Sequence, residues 1–274
     1  MLLALMLCFG AAVAAGPGAA RKRAESSMLV TGWIHIETDG SVSGYVLDHG
    51  DELPPVVTKL LDKAASNWKF EPVQVDGKPV RARTMMSVRL VAKRADDGKG
   101  FNVRVAGGNF GIPGGDDSPR KKALNPPIYP LNAADAGIAG TVYVILRVGR
   151  DGRIEDAIAE QVNLAVLVSE DGQERWRRVL AKAALDAATR WMFDPPTRGD
   201  EADEPFWLVR VPVSFLLPGR QLPKYGEWET YLPGPRQSAP WLGAIDTSLG
   251  ADAVADGAIQ SIGAGPKLLT PLGG

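Results

Sequence analysis

Trp191-Met192-Phe193-Asp194-Pro195 repeats, in its plan, the earlier run Trp68-Lys69-Phe70-Glu71-Pro72. Each run closes a stretch with helical spacing and leads into a strand-like stretch, and Val211 follows Trp191 at the interval at which Val88 follows Trp68. Upstream, Met28–Ile36 followed by Asp39-Gly40 is echoed by Gly140–Val148 followed by Asp151-Gly152. The two copies keep register apart from an insertion after the second Asp-Gly turn. A repeat of this kind divides a long chain into small units before any fold is assigned.

Working outward from the first run, Val30–Ile36 alternates around Trp33 and His35, the pattern of a half-buried strand. Asp39-Gly40 is a hairpin signal with Ser41–Leu47 as the return strand. Pro54-Pro55 opens a helix, where a missing N–H costs little, and Val57, Leu60, Leu61, Ala64 and Trp68 form its apolar stripe. Asp76-Gly77 turns the chain into a third strand, Arg83–Ala92. The second copy reads Thr141–Val148, the Asp151-Gly152 turn, Arg153–Val162, an insertion with its own Asp171-Gly172 turn, a helix over about Glu174 to Trp191 and a last strand, Phe206–Leu217. Trp68 and Trp191 sit on the apolar stripes and read as core anchors.

The fold class expected is α+β: two small ββαβ modules, each a short antiparallel sheet on one helix. Residues 1–20 form a signal peptide or anchor, 25–95 the first module, 96–125 a Gly-, Pro- and charge-rich linker, 126–218 the second module, and 219–274 a Pro/Gly-rich tail expected to be mostly disordered. Within the tail, Trp228, Tyr231 and Trp241 are residues able to dock locally.

Several function classes are excluded on chemistry. The net charge of −1 over 274 residues draws neither nucleic acid nor an anionic membrane, and Arg120-Lys121-Lys122 lacks the interleaved aromatics of a single-strand binder. The one cysteine, Cys8, lies in the apolar leader, so the rest of the chain forms neither a disulfide nor a thiolate metal site. His35 and His49 are the only histidines, too few for a converging ligand set. Ser118-Pro119-Arg120-Lys121 has Ser-x-x-Lys spacing, but Pro119 and a linker setting do not build a helix-borne nucleophile. Gly107–Gly115 lacks the Lys-Ser/Thr of a phosphate loop. The chain therefore reads as no enzyme, without catalytic, cofactor or metal residues.

Leu2–Phe9, then small residues with Ala12-Val13-Ala14, reads as a cleaved export signal. The uncleaved alternative is an anchor, although Gly10, Gly16, Pro17 and Gly18 interrupt the roughly twenty apolar residues that a spanning helix needs. The location expected is the periplasm, or the periplasmic side of the inner membrane, with membrane contact only through that segment.

The run Pro127-Ile128-Tyr129-Pro130, then Ala133, Gly137-Ile138, Gly140-Thr141-Val142, Val148, Asp151-Gly152-Arg153-Ile154, Trp191 to Pro195 and finally Val211-Pro212-Val213-Ser214-Phe215 resembles the C-terminal domain of the TonB energy-transducer family. Residues 126–217 carry the resemblance, and residues 28–92 are a weaker copy without the Tyr-Pro lead-in. The resemblance implies a domain that captures a short segment of an outer-membrane receptor as an added strand. Pro212 agrees, because a proline within a strand is confined to an edge, a strand start or a bulge. The residues expected to meet a partner are Tyr129 and Pro130 of the lead-in and Phe206, Leu208, Arg210, Val211, Val213 and Phe215 of the last strand. Tyr129 and Pro130 read more readily as a cap on the module than as a contact, and Arg210 more readily as a solvated charge. The partner is a protein or peptide, an outer-membrane receptor segment in the family's manner, and edge pairing also allows a homo-oligomer.

Three functions fit. The first is a periplasmic protein whose tandem modules bind an extended peptide or envelope protein by strand addition. The second is an anchored TonB-type transducer for receptor-mediated transport. The third is a structural envelope adaptor with self-associating modules. The short stretch between Arg23 and the first module favours the first over a transducer that reaches across the periplasm.

Overall fold

A computed structural model describes residues 21–95, 99–112, 117–199, 201–243 and 250–273. The expected leader, residues 1–20, lies outside them. In chain order the elements are β1 (Glu25–Ile36), β2 (Val42–Leu47), α1 (Pro55–Ala65), β3 (Gln74–Val75), β4 (Lys78–Pro79), β5 (Ala82–Arg94), β6 (Phe101–Phe110), β7 (Arg120–Ala123), α2 (Leu131–Asp135), β8 (Gly140–Gly149), β9 (Ile154–Leu164), α3 (Glu170–Ala188), β10 (Met192–Asp194), β11 (Phe206–Phe215), β12 (Glu229–Tyr231) and β13 (Gln260–Ser261).

The class is α+β, but the two small discrete ββαβ modules are not what forms. Four interleaved sheets span most of the chain. The first large sheet has the order β12-β1-β5-β6, with β2 also paired to β1. The second has the order β13-β11-β8-β9, and β10-β7 and β3-β4 are two-stranded. Pairing across the expected boundaries is the reason. The Gly-rich stretch read as linker supplies β6, a ten-residue partner for β5, and β7, which pairs with β10. The stretch read as tail supplies β12 to the first large sheet and β13 to the second. A three-stranded sheet on one helix leaves a face and both edges in water, and here the rest of the chain covers part of each.

Each large sheet buries one face against its helix. In the first, Met28, Val30, Ile34 and Ile36 alternate along β1 and pack with Met86, Val88 and Leu90 of β5 and Val57, Leu61 and Ala64 of α1. In the second, Val142, Val144, Leu146 and Val148 of β8 join Val209, Val211 and Val213 of β11 and Leu180, Ala184 and Ala187 of α3. The helix-free faces turn towards each other, with residues 252–256 between them: Ser87 Oγ donates to the Ala253 carbonyl at 2.7 Å and Ser214 Oγ to Asp256 Oδ1 at 2.6 Å. Helix α3 begins a turn earlier than its apolar stripe indicates. Asp171-Gly172, read as a turn, lies in its first turn, where Glu170 and Asp171 complement the positive end of the helix dipole.

The Trp-x-Phe runs clamp the Asp-Gly turns, in the same way each time. Phe70 N–H donates to Gly40 O at 2.8 Å, and Phe193 N–H to Gly152 O at 2.9 Å. Asp39 and Asp151 each accept from the backbone N–H two residues on, at 2.9 Å in both cases. The indole N–H of Trp68 donates to Leu272 O and that of Trp191 to Asn125 O, so both buried tryptophans are satisfied. The clamp needs glycine twice over. Gly152 has φ +77°, and a Cβ there would lie 2.0 Å from Phe193 O. Gly77, in the β3–β4 turn, has φ +73° with nothing within 4 Å of such a Cβ. Gly77→Ala is therefore expected to cost about 1 kcal/mol from backbone strain alone, and Gly152→Ala about 2 kcal/mol or more. Urea unfolding of the two variants checks this, and equal losses would show that the close approach carries no energy.

Candidate functional site

Strand β11 is an almost unbroken apolar run, Phe206-Trp207-Leu208-Val209-Arg210-Val211-Pro212-Val213-Ser214-Phe215, because both of its faces are covered. Trp207, Val209, Val211, Val213 and Phe215 point into the α3 core. Leu208 packs on the other face with Ile145 and Leu242, joined by the partly buried Phe206, Trp241 and Ile262. The Arg147 guanidinium lies over the Phe206 ring, 4.3 Å from its centroid. The side chains of Val211, Val213 and Phe215 are thus core, and what the strand has left to offer a partner is backbone.

One flank of β11 is paired with β8 over its full length, Phe206 opposite Gly149 through Phe215 opposite Gly140. The other flank carries β13 at Val209 and Arg210. Ile262 N–H donates to Leu208 O at 2.8 Å, so the backbone groups of Leu208 face outward. Strand periodicity then sends those of Phe206, Arg210, Pro212 and Ser214 outward too. Pro212 accordingly gives up an outward donor and leaves the β8 ladder intact. Beyond Arg210, no described strand pairs with the outer flank, where the Pro212 carbonyl and both backbone groups of Ser214 remain.

Arg210 is 2 % exposed and holds Glu160, with Nε to Oε2 at 2.6 Å and Nη2 to Oε1 at 2.9 Å. The register of β8 against β9 slips between Tyr143, opposite Gln161, and Val144, opposite Ala159. Glu160 is the extra residue of that bulge, which turns its carboxylate to the inner face and towards β11. Three residues after β12 complete the cluster. Arg236 Nη2 reaches Glu160 Oε1 at 3.3 Å, Gln237 N–H donates to Glu160 O at 2.7 Å, and Gln260 Oε1 accepts from Arg210 Nη1 at 2.6 Å. Gln260 Nε2 in turn donates to Asn109 Oδ1 of β6 at 2.9 Å, which ties the second sheet to the first.

Tyr129 and Pro130 are brought to the far end of the same strand. Pro130 caps α2, the Tyr129 hydroxyl donates to Ile138 O, and its ring meets Phe215 edge-on at 5.5 Å. Their neighbours Ile128 and Leu131 are 84 % and 79 % exposed. Arg210 was legible as a charge in an apolar strand. Glu160 was not, because a bulge leaves no mark on strand alternation, and β13 was hidden by its shortness.

Among the described residues, no group of three or more His, Cys, Asp and Glu is placed to hold a metal ion, and no helix is long and apolar enough to cross a membrane.

Residues 125–217 match the family model of the Gram-negative bacterial TonB protein C-terminal. The matched stretch runs from α2 through β11. The chain is also 35 % identical over 97 residues to Protein TonB of Xanthomonas campestris pv. campestris strain B100, and equally to that of strain ATCC 33913. The alignment takes 35 % of this chain and 37 % of each relative, so the chain spans little more than a third of the length of the curated TonB proteins it matches. No solved structure matches it. The TonB-like stretch thus contains Arg210 and Glu160, while Arg236 and Gln260 come from outside it.

Arg210→Met is expected to strand the Glu160 carboxylate in the interior and to cost about 3–5 kcal/mol. Arg210→Met combined with Glu160→Leu is expected to regain most of that loss. Chemical denaturation of the two variants against the parent checks both, and a double variant no better than the single one would mean that the pair is not the unit of stability.

Proposed function

We propose that the chain is a TonB-type energy transducer of the bacterial envelope, acting at the periplasmic side of the inner membrane in receptor-mediated transport across the outer membrane. We further propose that it binds its partner, an extended segment of an outer-membrane receptor, by strand addition to the outer flank of β11. The match to the TonB C-terminal family over residues 125–217 supports the first part. The single observation that carries the second is the unpaired flank at Pro212 and Ser214, on a strand whose other flank is full. Main-chain hydrogen bonds supply the affinity in this mode, which suits a strand whose side chains are already committed to the core. Exposed Ile128 and Leu131 beside Tyr129 extend the contact at the same end of the strand. The first large sheet is placed in this reading as a second copy of the plan, since β2-β1-β5 has the arrangement of β9-β8-β11 and both Trp-x-Phe clamps are alike.

The probe is a set of synthetic peptides copying the periplasmic segments of the outer-membrane receptors of the source bacterium, titrated by fluorescence anisotropy. Ser214→Pro removes an outward donor without touching the β8 ladder and is expected to weaken binding about tenfold, the worth of one good hydrogen bond. Ser214→Ala, which keeps the N–H, is expected to stay within about twofold of the parent. Unchanged binding by Ser214→Pro would remove β11 as the docking edge.

A further inference from the structure

The helix-free faces of the two large sheets do not close on each other completely. Between them lies a cleft of about 340 Å³, within the usual range for small-molecule sites and near its lower bound. Leu29 of β1, Leu222, Pro223 and Val254 give it apolar walls. Its inner end narrows into a recess, and Ser27, Arg89, Thr141, Tyr143 and Glu229 line both spaces.

The recess holds polar groups with no protein partner among the described residues. Tyr143 is 5 % exposed, and its side chain lines both spaces, yet its hydroxyl makes no hydrogen bond to the described protein. The hydroxyl is not shut off inside the protein but opens onto the cleft, so its hydrogen-bonding capacity is offered to whatever fills that space. The partly buried Glu229 carboxyl also has no hydrogen-bond partner among the described residues. Burial raises the pKa of both groups, and the charge of Arg89 pulls each of them back down, which places one cation beside both. Arg89 is held in place by Nε to Asp252 O at 2.7 Å and Nη1 to Ser27 Oγ at 3.2 Å, leaving Nη2 uncommitted. One small recess thus sets two unused donors, the Arg89 Nη2 and the Tyr143 hydroxyl, next to an unused carboxyl. Asp256, bonded to Ser214 through one oxygen only, adds a second acid on the outer side.

We propose that this cleft is a binding site for a free α-amino acid with an apolar side chain, taken head group first. The carboxylate meets Arg89 and Tyr143, the ammonium meets Glu229, and the side chain lies along Leu29, Leu222 and Val254. The head group of a free α-amino acid carries both charges on neighbouring atoms, as the recess offers both complements side by side. A carboxylic acid leaves Glu229 unpaired, and an amine leaves Arg89 and Tyr143 unpaired. Pro212 and Ser214 of β11 line its outer part, so the cleft adjoins the proposed docking edge, but the proposal stands on Arg89, Tyr143 and Glu229 and does not rest on the strand-addition reading.

Isothermal titration of the full chain with L-leucine and L-phenylalanine tests it, alongside L-leucinamide, which lacks the carboxylate, and 4-methylpentanoate, which lacks the ammonium. Saturable binding of at least one amino acid is expected, with each half-ligand at least about tenfold weaker. Tyr143→Phe removes a hydroxyl that no described residue uses, so it is expected to leave the melting temperature unchanged and to weaken binding about five- to tenfold. Glu229→Gln is expected to weaken it similarly. The proposal is overturned if neither amino acid gives saturable heat up to about 10 mM, if either half-ligand binds as well as the amino acid, or if Tyr143→Phe and Glu229→Gln both bind like the parent.

Discussion

The buried pair of Arg210 and Glu160 is the constraint on which the rest of the second sheet depends. Two charges withdrawn from water hold together only when almost every donor and acceptor is met. The fold meets them by drawing in the chain beyond β11, with Arg236 on one carboxylate oxygen, Gln237 on the Glu160 carbonyl and Gln260 on the guanidinium. Hydrophobic residues of similar volume could fill the same space at no loss of stability. What they could not do is fix the place of two separate segments, at Arg236-Gln237 and at Gln260, by hydrogen-bond geometry. The pair spans β11 and β9 across β8, and through Gln260 and Asn109 it also reaches β6 in the other sheet. It is where the TonB-like stretch and the segments flanking it become one structure.

The segments beyond β11 complete both sheets. They add β12 to β1, β13 to β11, and an isolated bridge from Leu232 to Leu164 at the end of β9. They also supply Leu242 and Ile262 over the second sheet's helix-free face, and Leu268 and Leu272 against the first sheet's core. A sheet with one helix has one dry face, and an exposed edge is an aggregation hazard. In this chain irregular segments with very short strands cover those surfaces. They need few residues per contact, and their own composition does not have to show periodicity.

That is why the sequence discloses the inner frame and conceals the cover. The paired Trp-x-Phe runs and Asp-Gly turns are local chemistry: a glycine at positive φ and an aspartate closing its own turn are specified within four or five residues. The hairpins β1–β2 and β8–β9 and the two main helices follow from them, and their ends fall within a few residues of the alternation and stripe patterns. Strand β6 has no such signal. Asn102, Gly107, Gly108 and Asn109 are poor strand formers, and their extended state is imposed by β5 alongside. At the site, the position of β11 and the role of Pro212 were readable, because a missing N–H has to point away from a ladder. The burial of Arg210 was not, since its partner sits at a bulge two strands away. The cleft was invisible for a related reason: Tyr143, Arg89 and Glu229 come from three strands in two sheets, and nothing in their spacing brings them together.

The outer flank of β11 is guarded in its middle and unpaired by any described strand beyond it. Its middle is held by β13, through two residues in register and one further bond at Leu208. Such a strand is too short to be stable alone and is fixed by the Arg210 cluster beneath it. Next to it, Pro212 interrupts the run of outward donors, so a chance neighbour finds no continuous ladder to zip onto. Protection of this kind is local, whereas the backbone of Ser214 beyond it keeps both of its groups. In the strand-addition mode proposed above, an incoming strand would have to match an interrupted pattern and begin at the Ser214 end, close to Phe215, Tyr129 and the exposed Ile128 and Leu131. Selectivity in that mode would follow from where hydrogen-bonding groups have been removed as much as from where they remain.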